Sequence, residues 1–273
     1  MTPFRLGIGA HLHPPRSARP GIDPPAPLSW LHLMFSNLRS RDLQPEWMDA
    51  PDLEPERFLG SLRGLSRVNA VTGSAKILWP EILAAARTTS GKPLRVLDVA
   101  CGGGDVPIAL LRRARAQGLS VVIDGCDVSP IAVQQAKDRA KRLGVPASFF
   151  QLNVLEDALP DDYDIVMSSL FLHHLSGDEA RDFLSNAAAA ARRSVLIHDL
   201  VRCRAGLWLA QIGMRVLFCN DVCVHDGPRS VMGAFTIQEM QMLAVEAGLD
   251  ACRIEARFPF RFLLQWSSDE PPA

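Results

Sequence analysis

The chain has 273 residues, 48 % of them apolar, which suits one catalytic domain with a sizeable core and no need of disulfides. Its 29 Lys and Arg against 30 Asp and Glu leave a net charge of −1, which excludes a basic field for a polyphosphate and disfavours nucleic acid as a partner. Six scattered cysteines fit a reducing compartment. With no sustained apolar leader at the N-terminus and no bilayer-length apolar run, the expectation is a soluble, cytoplasmic protein without integral membrane association.

Residues 1–27 are rich in Pro, Gly and Arg without periodicity, and a poorly ordered or variable segment is expected over 1–41. Helical spacing sets in from Leu28 to Ser90. Phe58, Leu59, Leu62, Leu65 and Val68 form one stripe, Ile77, Leu78, Ile82 and Leu83 another, which predicts a helical cap over 42–90. The core is expected over 91–273, with an insertion at about 201–235. Strands are predicted at Leu94–Val99, Val121–Cys126, Ala147–Leu152, Tyr163–Ser169 and Ser194–His198, alternating with helices. The helix signals are chemical. Ser129 with Pro130 opens one helix and Gly144 ends it, while Ser176 with Glu179 and Thr236 with Glu239 form capping boxes. Basic clusters such as Arg112, Arg113 and Arg115 fall on predicted helices and read as solvated faces. Cys252 to Phe258 and Phe260 to Trp266 alternate with period two. The fold class is therefore α/β: a Rossmann-like, mainly parallel seven-stranded sheet with helices on both faces and an antiparallel C-terminal strand pair.

The strongest local signal is Val96-Leu-Asp-Val-Ala-Cys-Gly-Gly-Gly-Asp105, glycines directly after a buried first strand, at the edge where open α/β sheets bind ligands. Asp127 ends the second strand about 20 residues on, placed to accept ribose hydroxyls. A dinucleotide fingerprint wants a third glycine where Pro107 stands, and Asp105 at the helix start opposes a pyrophosphate. S-adenosylmethionine (SAM) carries a sulfonium and an ammonium instead, so Asp98, Asp105 and Asp127 favour it.

These segments resemble motifs I and II of class I SAM-dependent methyltransferases: Val96–Asp105, then Gly125-Cys-Asp-Val-Ser-Pro130. The resemblance implies SAM as cofactor, with Ala100, Gly102 and Gly104 at its methionine part, Asp127 on the ribose and Val128 against the adenine; Asp98 and Cys101 are further cofactor-binding candidates. Where that family usually carries an acid toward the adenine amino group, this chain has Asn153-Val154. Ser169 is added at the end of strand four.

Transfer to a hydroxyl requires an aligned nucleophile and removal of its proton, work for a neutral imidazole. Candidates are His173 and His174, just beyond strand four, and His225 in the turn-rich Val224–Ser230, where only one of the adjacent pair points into a cleft if the segment stays extended. His174 and His225 are the leading choices for base. Arg67, Asn69, Asp199 and Arg229 are candidate acceptor contacts. No metal is expected: no acids stand at ligand spacing from the adjacent histidines, and Cys219, Cys223 and His225 lack a fourth ligand. Gly206–Phe218 reads as a buried helix or as a lid over an apolar acceptor.

Arg67-Val-Asn69, the glycine loop, Leu170–Leu175 and His225–Ser230 together resemble a bacterial subgroup of small-molecule methyltransferases associated with type III polyketide synthase clusters in secondary metabolism. That resemblance implies O-methylation of a phenolic or pyrone-type polyketide or alkyl-phenol, a small, apolar aromatic acceptor. The alternatives are a C-methyltransferase of a quinone-pathway ring, a nicotinamide-dependent oxidoreductase, and a SAM-binding module without catalysis. Oligomeric state leaves no signal in the sequence.

Overall fold

The computed structural model describes residues 38–89, 91–217 and 219–268. The expectation for residues 1–37, the cap's last residue Ser90 and Phe218 at the end of the apolar insertion lie outside the described residues.

After a short 3-10 turn at Trp47–Asp49 come α1 (Pro55–Thr72) and α2 (Ser74–Arg87). The alternating part follows: β1 (Leu94–Val99), α3 (Asp105–Ala116), β2 (Val121–Asp127), α4 (Pro130–Leu143), β3 (Phe149–Gln151), β4 (Tyr163–Ser169), α5 (Gly177–Ala190) and β5 (Ala191–Leu200). Two helices, α6 (Arg204–Val216) and α7 (Asp221–Gly233), are inserted before α8 (Ile237–Glu246), β6 (Arg253–Arg257) and β7 (Arg261–Ser267). The strands form one sheet in the order β3-β2-β1-β4-β5-β7-β6. Pairing is parallel from β3 through β5 and antiparallel where β7 joins β5 and β6, the mixed sheet expected from the sequence.

Alternation along each strand divides the core into two layers. Leu97, Val99, Val166, Val195, Ile197, Phe262 and Leu264 face α5 and α8, packing with Phe183, Leu184 and Met240. Leu94, Val96, Ile165, Met167, Leu196 and Leu263 face the other way, against α2, α3 and α4 through Leu78, Ile82, Leu110 and Val133. Among the described residues no helix is long and apolar enough to cross a membrane.

The helix ends follow their sequence chemistry. Ser129 accepts the Ala132 N–H, and Ser176 and Thr236 complete reciprocal capping boxes with Glu179 and Glu239. Three expectations need correction. β3 is shorter than Ala147–Leu152, and β5 is longer than Ser194–His198, because β4 and β7 flank it on both sides. The stretch Val224–Ser230 is not a turn. It lies inside α7, which Asn220 caps by accepting the Cys223 N–H, and Pro228 is carried within the helix. Asp-Gly-Pro disfavours a helix locally, but α7 is buried along most of its length, and packing overrides propensity. Gly227 is part of the reason: a Cβ there would stand 2.9 Å from Met214 of α6. Arg41 is also tied down, donating to the Gly233 and Leu175 carbonyls at 2.7 Å each, although it falls in the segment expected to be variable.

A tight point lies where α3 meets α4 and β3. Gly104 has φ +69°, and a Cβ on it would lie 2.9 Å from the Ala136 Cβ and 3.0 Å from the Phe149 ring. Gly104→Ala is therefore expected to destabilise the protein by about 1–3 kcal/mol, from overpacking together with a left-handed alanine. Urea denaturation measures it; an unchanged midpoint would contradict the packing.

Candidate active site

The carboxyl edge of the sheet gathers acids. Asp98 follows Leu94 and Val96 onto the α2–α4 side of β1, is 1 % exposed, and has no hydrogen-bond partner at either oxygen among the described residues. Burial, then the nearby charges of Asp105 and Asp127, push its pKa well above the ordinary value. Asp127, at the end of β2, is placed differently. Its Oδ2 accepts the Gly102 N–H at 2.8 Å and its Oδ1 the Ser129 N–H at 2.9 Å. Burial raises its pKa while these two donors pull it back, and they use about two of the four lone-pair sites of a carboxylate. Ala100 (φ 54°) and Gly102 (φ 52°) bend the chain between the two acids. A Cβ on Gly102 would meet nothing nearer than a Leu62 methyl at 3.7 Å, so bare backbone faces open space there.

The other expected cofactor contacts are distributed unevenly. Cys101 is buried beside Gly125, and burial pushes its thiol pKa up. Val128 is 58 % exposed just past Asp127. The Asn153 side chain accepts the Leu155 N–H at 3.3 Å while the Asn153 backbone N–H donates to Asp157, so the residue shapes the turn after β3. Val154 points into the core. Ser169 ends β4 opposite His198 of β5.

Two expected acceptor contacts are engaged elsewhere. Asn69 donates to Asp105 at 3.1 Å and accepts from Ser74 at 3.0 Å, tying α1 to the start of α3. Arg67 donates to the Leu217 carbonyl beyond α6. These bonds fix helices rather than reach toward an acceptor.

A second cluster lies where β4 and β5 end. Leu170 (φ 60°) breaks β4, and a 3-10 turn at Leu172–His174 follows. His173 Nδ1 lies 2.7 Å from Asp199 Oδ1, and both groups are buried. Asp199 also accepts the N–H of His173 and of Leu200. Burial would raise the pKa of Asp199, but His173 and these donors hold it below the usual range. His174 Nδ1 lies 3.2 Å from Asp49 Oδ2. Burial opposes its charge, yet the Asp49 hydrogen bond and the charges of Glu46, Asp49 and Asp199 lift its pKa to about 9. These contacts favour the charged form of His174 in the ligand-free protein, which corrects the expectation of a free base.

His225 is corrected too. Its ring stacks on Trp47 with centroids 3.6 Å apart, and its Nδ1 bonds Asp226 at 2.6 Å. The Asp226 carboxylate also accepts the N–H groups of Trp47 (2.9 Å) and Met48 (3.0 Å). The pair clamps the 46–49 segment onto α7, and that clamp delivers Glu46 and Asp49 to the two histidines. Sequence reasoning missed both acids, since no local pattern marks a contact over more than a hundred residues. The resulting cleft is about 260 Å³ and is lined by Glu46, Asp49, His173, His174 and Arg229, with Leu43 and Pro45 as its apolar wall. Asp127 feels the charges of Asp49 and His174, so cleft and glycine loop share one electrostatic neighbourhood.

Residues 96–194 match the family model described as a methyltransferase domain. No curated protein matches the chain. Among solved structures, magnesium protoporphyrin IX methyltransferase from Synechocystis PCC 6803 with bound SAH is 17 % identical, over 81 % of this chain and 89 % of that one, with a TM-score of 0.51. A putative O-methyltransferase from Nostoc punctiforme PCC 73102 is 17 % identical over 84 % of this chain and 64 % of its own, TM-score 0.57. The CurJ carbon methyltransferase is 13 % identical over 80 % and 62 %, TM-score 0.60. Likeness at this level is likeness of fold. The span matched by the family model, from β1 into β5, holds Asp98, the glycine loop, Asp127 and the His173–His174 turn.

The buried Asp98 carboxyl gives a signed prediction. Below the ordinary value of 3.8 it is protonated folded and unfolded alike. Above 3.8 the unfolded chain ionises while the folded carboxyl resists, so the ligand-free protein loses stability as pH rises toward the folded value. Asp98→Asn is expected to remove that slope; thermal melts of both proteins across this range check it, and identical slopes would show that Asp98 titrates normally.

Proposed function

We propose that the protein transfers the methyl group of SAM to an oxygen of a small phenolic or pyrone-type acceptor, seated in the cleft with its hydroxyl against His173 and His174. The broader statement holds whatever the acceptor: this is a SAM-dependent methyltransferase. The observation that carries the reading is the buried, unpartnered Asp98 carboxyl beside the bare backbone of Gly102, with Asp127 one strand away. A cationic amino-acid end suits the first, and a pair of ribose hydroxyls suits the free lone pairs of the second. A pyrophosphate would meet three carboxylates, Asp98, Asp105 and Asp127, which argues against a nicotinamide oxidoreductase.

SAM supplies a methyl carbon already bonded to a good leaving group. The acceptor oxygen forms its bond to that carbon as the carbon–sulfur bond breaks, and sulfur takes the electron pair. The protein aligns the two centres and provides for the proton of the hydroxyl. Asp199 favours the His173 tautomer protonated at Nδ1, which leaves a lone pair on Nε2. Arg229, which donates to the His225 carbonyl, adds positive charge at the cleft wall where a phenolate would develop. A cleft of about 260 Å³ is at the low end for ligand sites and suits a single ring better than a large scaffold. The polyketide association rests on the resemblance of the sequence segments, and the same SAM site also serves methylation of a ring carbon.

Two measurements test the reading. Calorimetry with SAM and its demethylated product is expected to show stoichiometric binding, weakened about 10- to 100-fold by Asp127→Ala through loss of charge-assisted hydrogen bonds worth about 1–3 kcal/mol. A screen of phenols and pyrones with methyl-labelled SAM is expected to give O-methyl products. Carbon-linked label would overturn the oxygen assignment, and affinity indifferent to Asp127→Ala would overturn the ribose role.

A further inference from the structure

We propose that Glu46, His173 and His174 form a binding site for one divalent transition-metal ion in the acceptor cleft. One nitrogen of each imidazole and one carboxylate oxygen of Glu46 lie within 4.8 Å of one another. Two imidazoles and one carboxylate are a borderline donor set, suited to zinc, manganese, iron or cobalt and poorly to magnesium or calcium.

The surroundings are those of a ligand set rather than a chance cluster. Metal-bound histidines characteristically give their second nitrogen to a carboxylate, and each ring here has Nδ1 at one, His173 at the buried Asp199 (2.7 Å) and His174 at Asp49 (3.2 Å), which leaves Nε2 of each as the ligand the proposal uses. Glu46 is oriented by the Ser230 hydroxyl, which donates to its Oε1 at 2.7 Å and leaves Oε2 for an ion. Glu46, Asp49 and Asp199 place three carboxyl groups around two imidazoles. The nearest guanidinium groups, Arg41 and Arg229, donate to backbone carbonyls. An ion in that setting gains electrostatically from every carboxylate.

Ligands about 2.1 Å from a metal stand roughly 3.0–3.4 Å apart, so the three side chains draw together by at most about 1.5 Å on binding. The 46–49 segment, held on α7 through Asp226, has to give that ground. Three protein ligands leave open positions, which is the arrangement of catalytic rather than structural sites. An acceptor hydroxyl filling one of them would lose its proton to solvent more readily, because the ion lowers its pKa. This role rests on the methyltransferase reading above; binding of the ion does not.

The test uses the full-length protein, stripped with a chelator and titrated with zinc alone by calorimetry, with metal content checked by mass spectrometry. One zinc per chain is expected. Glu46→Gln and His173→Gln should each weaken binding by 100-fold or more, and Asp49→Asn by about 10-fold through the second ring nitrogen of His174. Cys219→Ser/Cys223→Ser should leave zinc uptake unchanged, which separates this site from the two thiols near His225. Unchanged affinity for the demethylated cofactor product reports that each variant is folded. Absence of stoichiometric zinc in the wild type, or zinc affinity equal to wild type in folded Glu46→Gln and Asp49→Asn variants, would overturn the site. Zinc bound as expected by a protein that binds no SAM would sink the methyltransferase reading and leave the site standing.

Discussion

A carboxyl group is buried at the end of β1 with no donor to receive it among the described residues, an unfavourable placement that the rest of the fold has to sustain. Asp98 stands on the face where Leu94 and Val96 are fully buried, so its desolvation is opposed by nothing local. Removing such a group from water without a hydrogen bond costs about 1–3 kcal/mol by mutational measures, more if it ionises. The layers on either side of the sheet carry that burden. Ala100, Gly102 and Gly104 hold the glycine loop next to it in a left-handed path.

Acids elsewhere on the same edge are handled differently, and the contrast is informative. Asp127 receives two backbone N–H groups, Asp199 receives two together with an imidazole, and Asp226 receives two and an imidazole as well. Each is a fixed point from which something else is oriented: the glycine loop, His173, the 46–49 segment. His198 shows the opposite solution. It shares the Leu196 side of β5, away from Asp199, with no partner for either ring nitrogen among the described residues. Burial and the nearby Arg261 drive its pKa down to about 3 and keep it neutral. Two adjacent residues of one strand thus end in opposite charge states because the pleat sends them to opposite layers.

The sheet, its order of secondary elements and the cofactor edge were legible in the sequence because each depends on short-range pattern. Period-two alternation marks the strands, capping boxes mark α5 and α8, and glycines after β1 mark the loop. The histidine cluster was legible only in part. His173 and His174 stood out by type, but Glu46 and Asp49 lie in an irregular segment, and contacts such as Asp49 to His174 span 125 residues. The misreading of Val224–Ser230 has a related cause. Asp-Gly-Pro signals a turn, and burial of α7 between α6 and the 46–49 segment outweighs that local preference. His225 then takes a stacking role that only tertiary contacts reveal.

The adjacent histidines show how a local break in a strand becomes chemistry. Had β4 continued, its pleat would have sent His173 and His174 to opposite faces of the sheet. Leu170, at φ 60°, ends the strand one residue after Ser169, and the 3-10 turn brings the two rings to centroids 4.3 Å apart with a 34° tilt. Left-handed backbone at a non-glycine residue costs about 1–3 kcal/mol and persists where the surroundings enforce it. Here the Leu170 N–H donates to the His198 carbonyl at 2.8 Å, which keeps the bend in register with β5. The same bend sets His173 beside Asp199 and turns His174 toward Asp49, so one strained residue explains why both imidazoles line a single cleft within electrostatic reach of Asp127.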